Sequence, residues 1–389
     1  MTGGAGVAGG ATRWPSGVAG SGVTCGIKRG GRPDLGLLVA PEPATWSGTF
    51  TVNAAAAPSV RWSRALLGRP VRAVVANSGN ANACTGRQGV TAVDKTAAAA
   101  AAAVGCRPEE VLIASTGPIG IPLPVDRIVA ALPAAARSPA RAVEPFASSI
   151  LTTDTTIKVA SAAAGASTVV GVAKGAAMIS PSMATMLAFV VTDAALDHPP
   201  LQTALARAVD RSFNRLCIDA CESTNDSVFC LATGRAGGAP GDFSGALEAV
   251  CSSLAEQIAR DAEGGTKLVR VNVVGAPNEP TGVELGRAVA GSDLWRCAVH
   301  GADPNWGRIA AALGAVDRSL DLSRLSIAIG PEVLFAKGDP VGLDKRARRH
   351  LAADEVVVTC TVGDGPSSVE ILSSDISPAY VTLNAFGTT

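Results

Sequence analysis

The stretch Lys174-Gly175-Ala176-Ala177-Met178-Ile179-Ser180-Pro181-Ser182-Met183-Ala184-Thr185-Met186-Leu187-Ala188-Phe189-Val190-Val191-Thr192-Asp193 packs three of the chain's four methionines into nine residues. Composition alone reads it as a core strand with a turn at Ser180-Pro181, its methionines filling irregular gaps. A second reading starts at Ala184-Thr185, where a small residue precedes a threonine at the edge of a strand-like apolar run. A threonine hydroxyl held against the preceding carbonyl can attack it and turn the amide into an ester, which water then cuts. The product is a threonine with a free α-amine. That amine, with a reference pKa of about 8, can take the proton of its own hydroxyl, so nucleophile and base share one residue.

Such a site needs no histidine, and the chain has three, His198, His300 and His350, too few for an obvious Ser-His-Asp triad or His-rich metal site. The 389 residues carry 33 Lys+Arg against 33 Asp+Glu, so no basic surplus points to nucleic acid. With 47% hydrophobic and 17% charged residues, the chain is globular and long enough for two or three units. Apolar runs such as Ala97–Val104 fall short of the roughly 20 residues a membrane helix requires, so a soluble protein is expected. The first 25 residues lack the charged start and apolar block of a signal peptide, and the nine cysteines are odd in number and scattered. Together these lead us to expect a reduced, cytoplasmic setting. Cys217 and Cys221 share a helical face by spacing but have no second pair, so no metal site is expected. The N-terminal glycines neither follow a strand nor open a helix, which argues against a dinucleotide fingerprint.

Helix and strand patterns alternate throughout, and periodicity supports a mixed α/β fold. Val71–Asn77 and Val111–Ser115 read as strands, and the Ala-rich Val90–Val104 as a helix stopped by Gly105. Leu247, Val250, Leu254 and Ile258 recur at helical spacing, while Val269, Val271 and Val273 alternate with Arg270 and Asn272 as in a strand. The Pro/Gly clusters Gly237–Gly241 and Ala276–Gly282 read as loops, the second as the start of a C-terminal lobe.

The quoted stretch resembles the autoprocessing site of the glutamate N-acetyltransferase family, the ornithine acetyltransferases of cyclic arginine biosynthesis. Six further stretches resemble family motifs in family order: Asn77-Ser-Gly-Asn-Ala-Asn-Ala-Cys-Thr-Gly86, Ile113-Ala-Ser-Thr-Gly117, Leu151-Thr-Thr-Asp-Thr155, Ser223-Thr-Asn-Asp226, Asp261-Ala-Glu-Gly264 and Gly301-Ala-Asp-Pro-Asn-Trp-Gly-Arg308. The resemblance implies a sandwich of two β-sheet layers between helices with a smaller C-terminal α/β lobe. It also implies self-cleavage at Ala184-Thr185 into an α chain of residues 1–184 and a β chain of residues 185–389. In the latter, about 185–275 would complete the main domain and about 276–389 form the lobe. By resemblance Thr185 is the nucleophile and Thr116 with Gly117 the oxyanion hole. Substrate contacts fall on Thr152, Lys174, Thr185, Glu263, Asn384 and Thr389.

The activity implied is transfer of acetyl from N-acetylornithine to glutamate through an acetyl-threonine, without metal or other cofactor, by a heterotetramer of two α and two β chains. The motifs are common to members with and without acetyl-CoA as a second donor, which leaves that substrate open. The sequence departs from the family at Ala176-Ala177, at Asp219-Ala-Cys-Glu222 and in the tail Asn384-Ala-Phe-Gly-Thr-Thr389. These departures concern substrate preference more than chemistry. Two alternatives therefore stand beside the main reading, a paralogue of specialised metabolism and an N-terminal-nucleophile amidohydrolase or aminopeptidase in which water takes the acyl group.

Overall fold

The computed structural model describes residues 12–179, 186–219, 221–237, 241–342 and 345–386. Its larger sheet follows the order β4-β3-β2-β8-β7-β6-β5, with β1 added against β2. Here β1 is Ala19–Val23, β2 Leu35–Phe50, β3 Val71–Ser78, β4 Val111–Thr116, β5 Lys158–Ala164, β6 Ser167–Lys174, β7 Leu187–Thr192 and β8 Ser227–Ala232.

The 16-residue β2 makes this sheet fold over on itself. Its first part pairs with β1 and β3 through Leu35–Val39, and its last part, Thr45–Phe50, pairs with β8. Between them lies Pro41-Glu42-Pro43, exposed, where the register with β3 shifts. Prolines have no N–H to donate to a ladder, so pairing is interrupted and the strand can bend from one layer into the other.

Between the layers, Leu38, Val74 and Leu112 of the first meet Val172, Phe189 and Phe229 of the second in one apolar cluster. The outer face of the first layer, Leu37, Val75 and Ile113, packs on helices Gly86–Val104 and Val125–Arg137. Helices His198–Asp210 and Phe243–Arg260 cover Val190, Val228 and Cys230 on the outer face of the second. The implied sandwich between helices is therefore present. Gly105 ends the Ala-rich helix in a left-handed conformation (φ 77°), donating its N–H to Ala101 O at 2.8 Å.

A second sheet, ordered β12-β11-β10-β13-β9-β14, forms the C-terminal lobe. Its strands are β9 (Leu268–Ala276), β10 (Ser326–Ile329), β11 (Glu332–Ala336), β12 (Asp339–Pro340), β13 (Glu355–Thr361) and β14 (Ser367–Ser374). The alternating Val269, Val271 and Val273 belong to this lobe's core, so its sheet starts at Leu268, ahead of the 276 boundary. Most of the Ala276–Gly282 cluster read as a loop is in fact the start of helix Glu279–Ala290. The Asn278 side chain caps that helix, accepting the Thr281 N–H at 2.9 Å, and Pro280 sits in the first turn, where its missing N–H costs nothing. The helical spacing assigned to Cys217 and Cys221 does not apply either. Both lie outside helices, and Cys217 N–H is drawn to Leu372 O at 2.9 Å, beside a bridge between Leu216 and Leu372. Among the described residues no helix is long and apolar enough to cross a membrane.

Candidate active site

Thr116 ends β4, buried, in parallel register with Ser78 at the end of β3. The loop leaving β3 folds back onto it. Asn80 N–H donates to Thr116 O at 3.0 Å, and Asn77 Oδ1 accepts the Ser115 hydroxyl at 2.7 Å. From the other layer, Asn225 donates its amide to Ala81 O at 2.6 Å and Ser115 O at 2.9 Å. The Asn-rich motifs are thus the ties that fix two loops against one strand end. Gly117 follows at φ 139°, and a Cβ there would lie 2.3 Å from Asn80 N and 2.5 Å from the Gly79 carbonyl carbon. Only glycine allows the backbone so close.

Lys174, at the end of β6, comes from the opposite layer and is buried. Its Nζ lies 3.4 Å from the Thr116 hydroxyl and 3.9 Å from Asp154 Oδ2. Asp154 takes the N–H groups of Gly175 (2.7 Å) and Thr152 (3.0 Å) and the Lys158 ammonium (2.7 Å). Lys158 in turn reaches Asp261 at 2.6 Å, stapling the motif at 151–155 to that at 261–264. Burial alone would raise the Asp154 pKa, but the Lys174 and Lys158 charges overcome it and hold the carboxyl at about 2. Burial pushes Lys174 below the usual lysine range despite Asp154.

Asp226, just before β8, accepts the Met186 N–H at 3.0 Å through Oδ1, and its Oδ2 has no partner among the described residues. Burial pushes this carboxyl well above its ordinary range. Glu263 is buried, donates its N–H to Ala176 O at 2.8 Å and accepts the Asn384 amide at 3.1 Å. Asn384 lies on helix Pro378–Phe386, which approaches so closely that a Cβ on Gly264 (φ 64°) would lie 2.3 Å from Tyr380 N.

Thr116, Gly117, Thr152, Lys174, Glu263 and Asn384 all line one cavity of about 160 Å³, joined by Asp219, Cys221 and Tyr380. Residues selected across 270 positions of sequence therefore meet around one space. Ala184, Thr185 and Thr389 lie outside the described residues. Among the described residues no group of three or more His, Cys, Asp or Glu side chains is placed to hold a metal ion.

A family model described as the ArgJ family matches residues 19–389. The chain belongs to the ArgJ family. Among its relatives, the arginine biosynthesis bifunctional protein ArgJ of Thermus thermophilus is 45% identical over 97% of this chain and 100% of that protein. The protein of that name from Symbiobacterium thermophilum is 43% identical over 97% of this chain and 98% of its own length. A crystal structure of the Bacillus halodurans ArgJ protein is 38% identical, covering 51% of this chain and 97% of that chain, with a TM-score of 0.49. Ornithine acetyltransferase of Mycobacterium tuberculosis, crystallised with ornithine, is 34% identical, covering 44% of this chain and 95% of that chain, with a TM-score of 0.40.

Within this ArgJ-family chain, the residues that sequence reading left without a role include Asp154, Lys158 and Asp226 of the buried network. Two of them stand inside quoted motifs, Leu151–Thr155 and Ser223–Asp226. The available signal was an acidic residue among hydroxyls and amides. It could not distinguish a buried ion partner from a capped turn.

Proposed function

We propose that this chain is a glutamate N-acetyltransferase, which transfers acetyl from N-acetylornithine to glutamate in arginine biosynthesis. The observation that carries this reading is the single cavity on which Thr116, Gly117, Lys174, Glu263 and Asn384 converge, in a chain of the ArgJ family. In this mechanism, scission of Ala184-Thr185 gives Thr185 a free α-amine. The Thr185 hydroxyl attacks the donor's amide carbonyl while its proton passes to that amine. The oxyanion forms against the Thr116 hydroxyl and the Gly117 N–H, preorganised donors of the kind that stabilise it by several kcal/mol. Collapse breaks the C–N bond, and the leaving ornithine amine takes the proton from the α-ammonium. Glutamate's amine then attacks the acetyl ester, its proton passes to the α-amine, and the Thr185 hydroxyl is restored.

Lys174 and Thr152 suit a substrate carboxylate, and Glu263 an ammonium, by charge-assisted bonds that strengthen where water is excluded. The Thr389 tail is assigned a substrate contact only by resemblance. A cytoplasmic location belongs to this proposal, with no metal or other cofactor required, and assaying each donor separately decides whether acetyl-CoA also serves. An assembly of two α and two β chains belongs to it as well. Thr116 and Lys174 precede the scissile bond while Glu263 and Asn384 follow it, so neither half holds the site.

N-terminal sequencing of the purified protein tests the reading: a second chain should begin Thr-Met-Leu-Ala-Phe, and Thr185→Ala should yield one uncut, inactive chain. An active uncut chain of 38.8 kDa would refute it. Added glutamate should divert acetyl from acetate to N-acetylglutamate. Acetate alone, whatever the glutamate concentration, would favour the amidohydrolase.

A further inference from the structure

A second cavity, of about 340 Å³, adjoins the first and shares Gly117, Thr152 and Thr153 with it. Its remaining wall carries Lys28, Arg29 and Arg32, and no described carboxylate lines it. None of these three cations forms a salt bridge among the described residues. Lys28 Nζ instead donates to the Leu151 carbonyl at 2.9 Å.

The loop that presents them is built in advance. Asp34, buried, accepts the N–H groups of Cys25 and Ile27, each at 2.6 Å, and of Lys28 at 2.9 Å. Lys28 also abuts the proposed oxyanion hole through one residue. A Cβ on Gly79 (φ 91°) would lie 2.7 Å from Lys28 Cγ, and Gly79 is the residue against which Gly117 packs. Burial, then the Arg32 guanidinium, pushes Lys28 down to about 8, against the opposing pull of the Asp34 and Asp154 carboxylates.

Donor and acceptor present a nitrogen to the same acyl carbon, yet their side chains carry opposite charge: an ammonium on ornithine, a carboxylate on glutamate. A carboxylate placed beside Glu263 would meet like charge in a confined space, which opposes its binding there. We propose that the Lys28, Arg29 and Arg32 cavity receives the side-chain carboxylate of the acyl acceptor, so that one acyl site serves two substrates through poles of opposite sign. This inference rests on the acetyl-transfer reading above. The chemistry it recognises is an anionic oxygen cluster, which the phosphates of acetyl-CoA would also supply.

Steady-state kinetics of the processed enzyme, Lys28→Met and Arg32→Ala decide it, with N-acetylornithine as donor and either glutamate or its neutral isostere glutamine as acceptor. Removing a charge-assisted contact should raise KM for glutamate about tenfold or more. Glutamine should be used nearly as before, so the preference for glutamate should fall by the same factor. Equal losses on both acceptors, or an unchanged preference, overturns the proposal. A parallel series with acetyl-CoA as donor separates the two anions. If the variants lose only acetyl-CoA-dependent transfer, with KM for glutamate unmoved under N-acetylornithine, the cavity holds phosphate and the proposal fails. Ornithine release by the unaltered enzyme, measured first, tests the parent reading separately, and its absence removes both.

Discussion

Asp154→Asn tests the electrostatics of the site most directly. The Asp154 side chain is fully buried, 2.7 Å from one ammonium and 3.9 Å from another. The amide removes the charge and keeps an acceptor for only one of the Gly175 and Thr152 N–H groups, which bond different carboxylate oxygens. Lys158 retains Asp261 at 2.6 Å, whereas Lys174, with a side chain only 3% exposed, loses its nearest counter-ion. Breaking a buried pair by deleting one partner costs about 3–5 kcal/mol. For a domain of this size that is a fall in Tm of about 6–10 °C, at about 2 °C per kcal/mol.

The pH dependence distinguishes this cause from loss of packing. Lys174, already lowered by burial, is lowered further in the variant, while its unfolded value stays in the normal lysine range. Between the two values the unfolded chain binds more protons than the folded one, so stability rises with pH and the deficit shrinks from pH 7 toward pH 10. In the unaltered protein the Asp154 carboxyl is depressed from 3.8 to about 2. Its contribution, roughly 2 kcal/mol, is complete above the unfolded value and is lost as pH falls through the folded one. Scanning calorimetry at fixed rate, with chain composition checked on denaturing gels, reads both effects. A shift under 2 °C, or a deficit equal at pH 7 and pH 10, would refute the reasoning.

Two further substitutions examine the remaining groups. Thr116→Ala should reduce kcat by about 10²–10³ with Tm nearly unchanged, the result of deleting one oxyanion donor, and unaltered turnover would remove Thr116 from the chemistry. Asp226→Asn keeps the acceptor for Met186 N–H while deleting a carboxyl whose pKa is raised by burial. Such a group penalises folding increasingly as pH climbs above its unfolded value of 3.8, so the variant should gain Tm at pH 8 relative to pH 5. Equal or lower Tm at both would show that Asp226 ionises at a net benefit.

Elements with a single strong local cause were legible in sequence. The Ala-rich helix and its Gly105 stop agree in propensity and capping, and Val111–Ala114 is an unbroken apolar run. What escaped sequence reading was decided by tertiary pairing. Leu35–Val39 pairs with β3 and Thr45–Phe50 with β8, so one strand serves both layers across the unpaired Pro41-Glu42-Pro43. Pro280 reads as a loop residue because a helix start and a turn share the same punctuation, and only the Asn278 cap separates them. Lys28 lies in a Gly-rich segment without periodicity. Its closeness to Gly117 depends on Gly79 packing between them, a contact no spacing rule encodes.

The buried network also shows why the site is arranged across the two layers. An ion pair this deep is poor evidence for stability, since well-packed apolar side chains of similar volume often serve as well or better. Stability therefore does not explain Asp154, Lys158 and Lys174 together. Position does: Asp154 is tied to Gly175, the residue after Lys174, and thereby sets where β6 ends. Lys158 draws Asp261, and with it Glu263, toward the same point from the end of helix Phe243–Arg260. Thr116 arrives from the other layer, and its hydroxyl stands 3.4 Å from Lys174 Nζ with no carboxylate bonded to it among the described residues. The charges thus hold a cation beside a hydroxyl donor, with an acid lining the same cavity. A purely apolar core of equal stability would leave β6, β4 and helix Pro378–Phe386 free to pack without presenting those groups to one space.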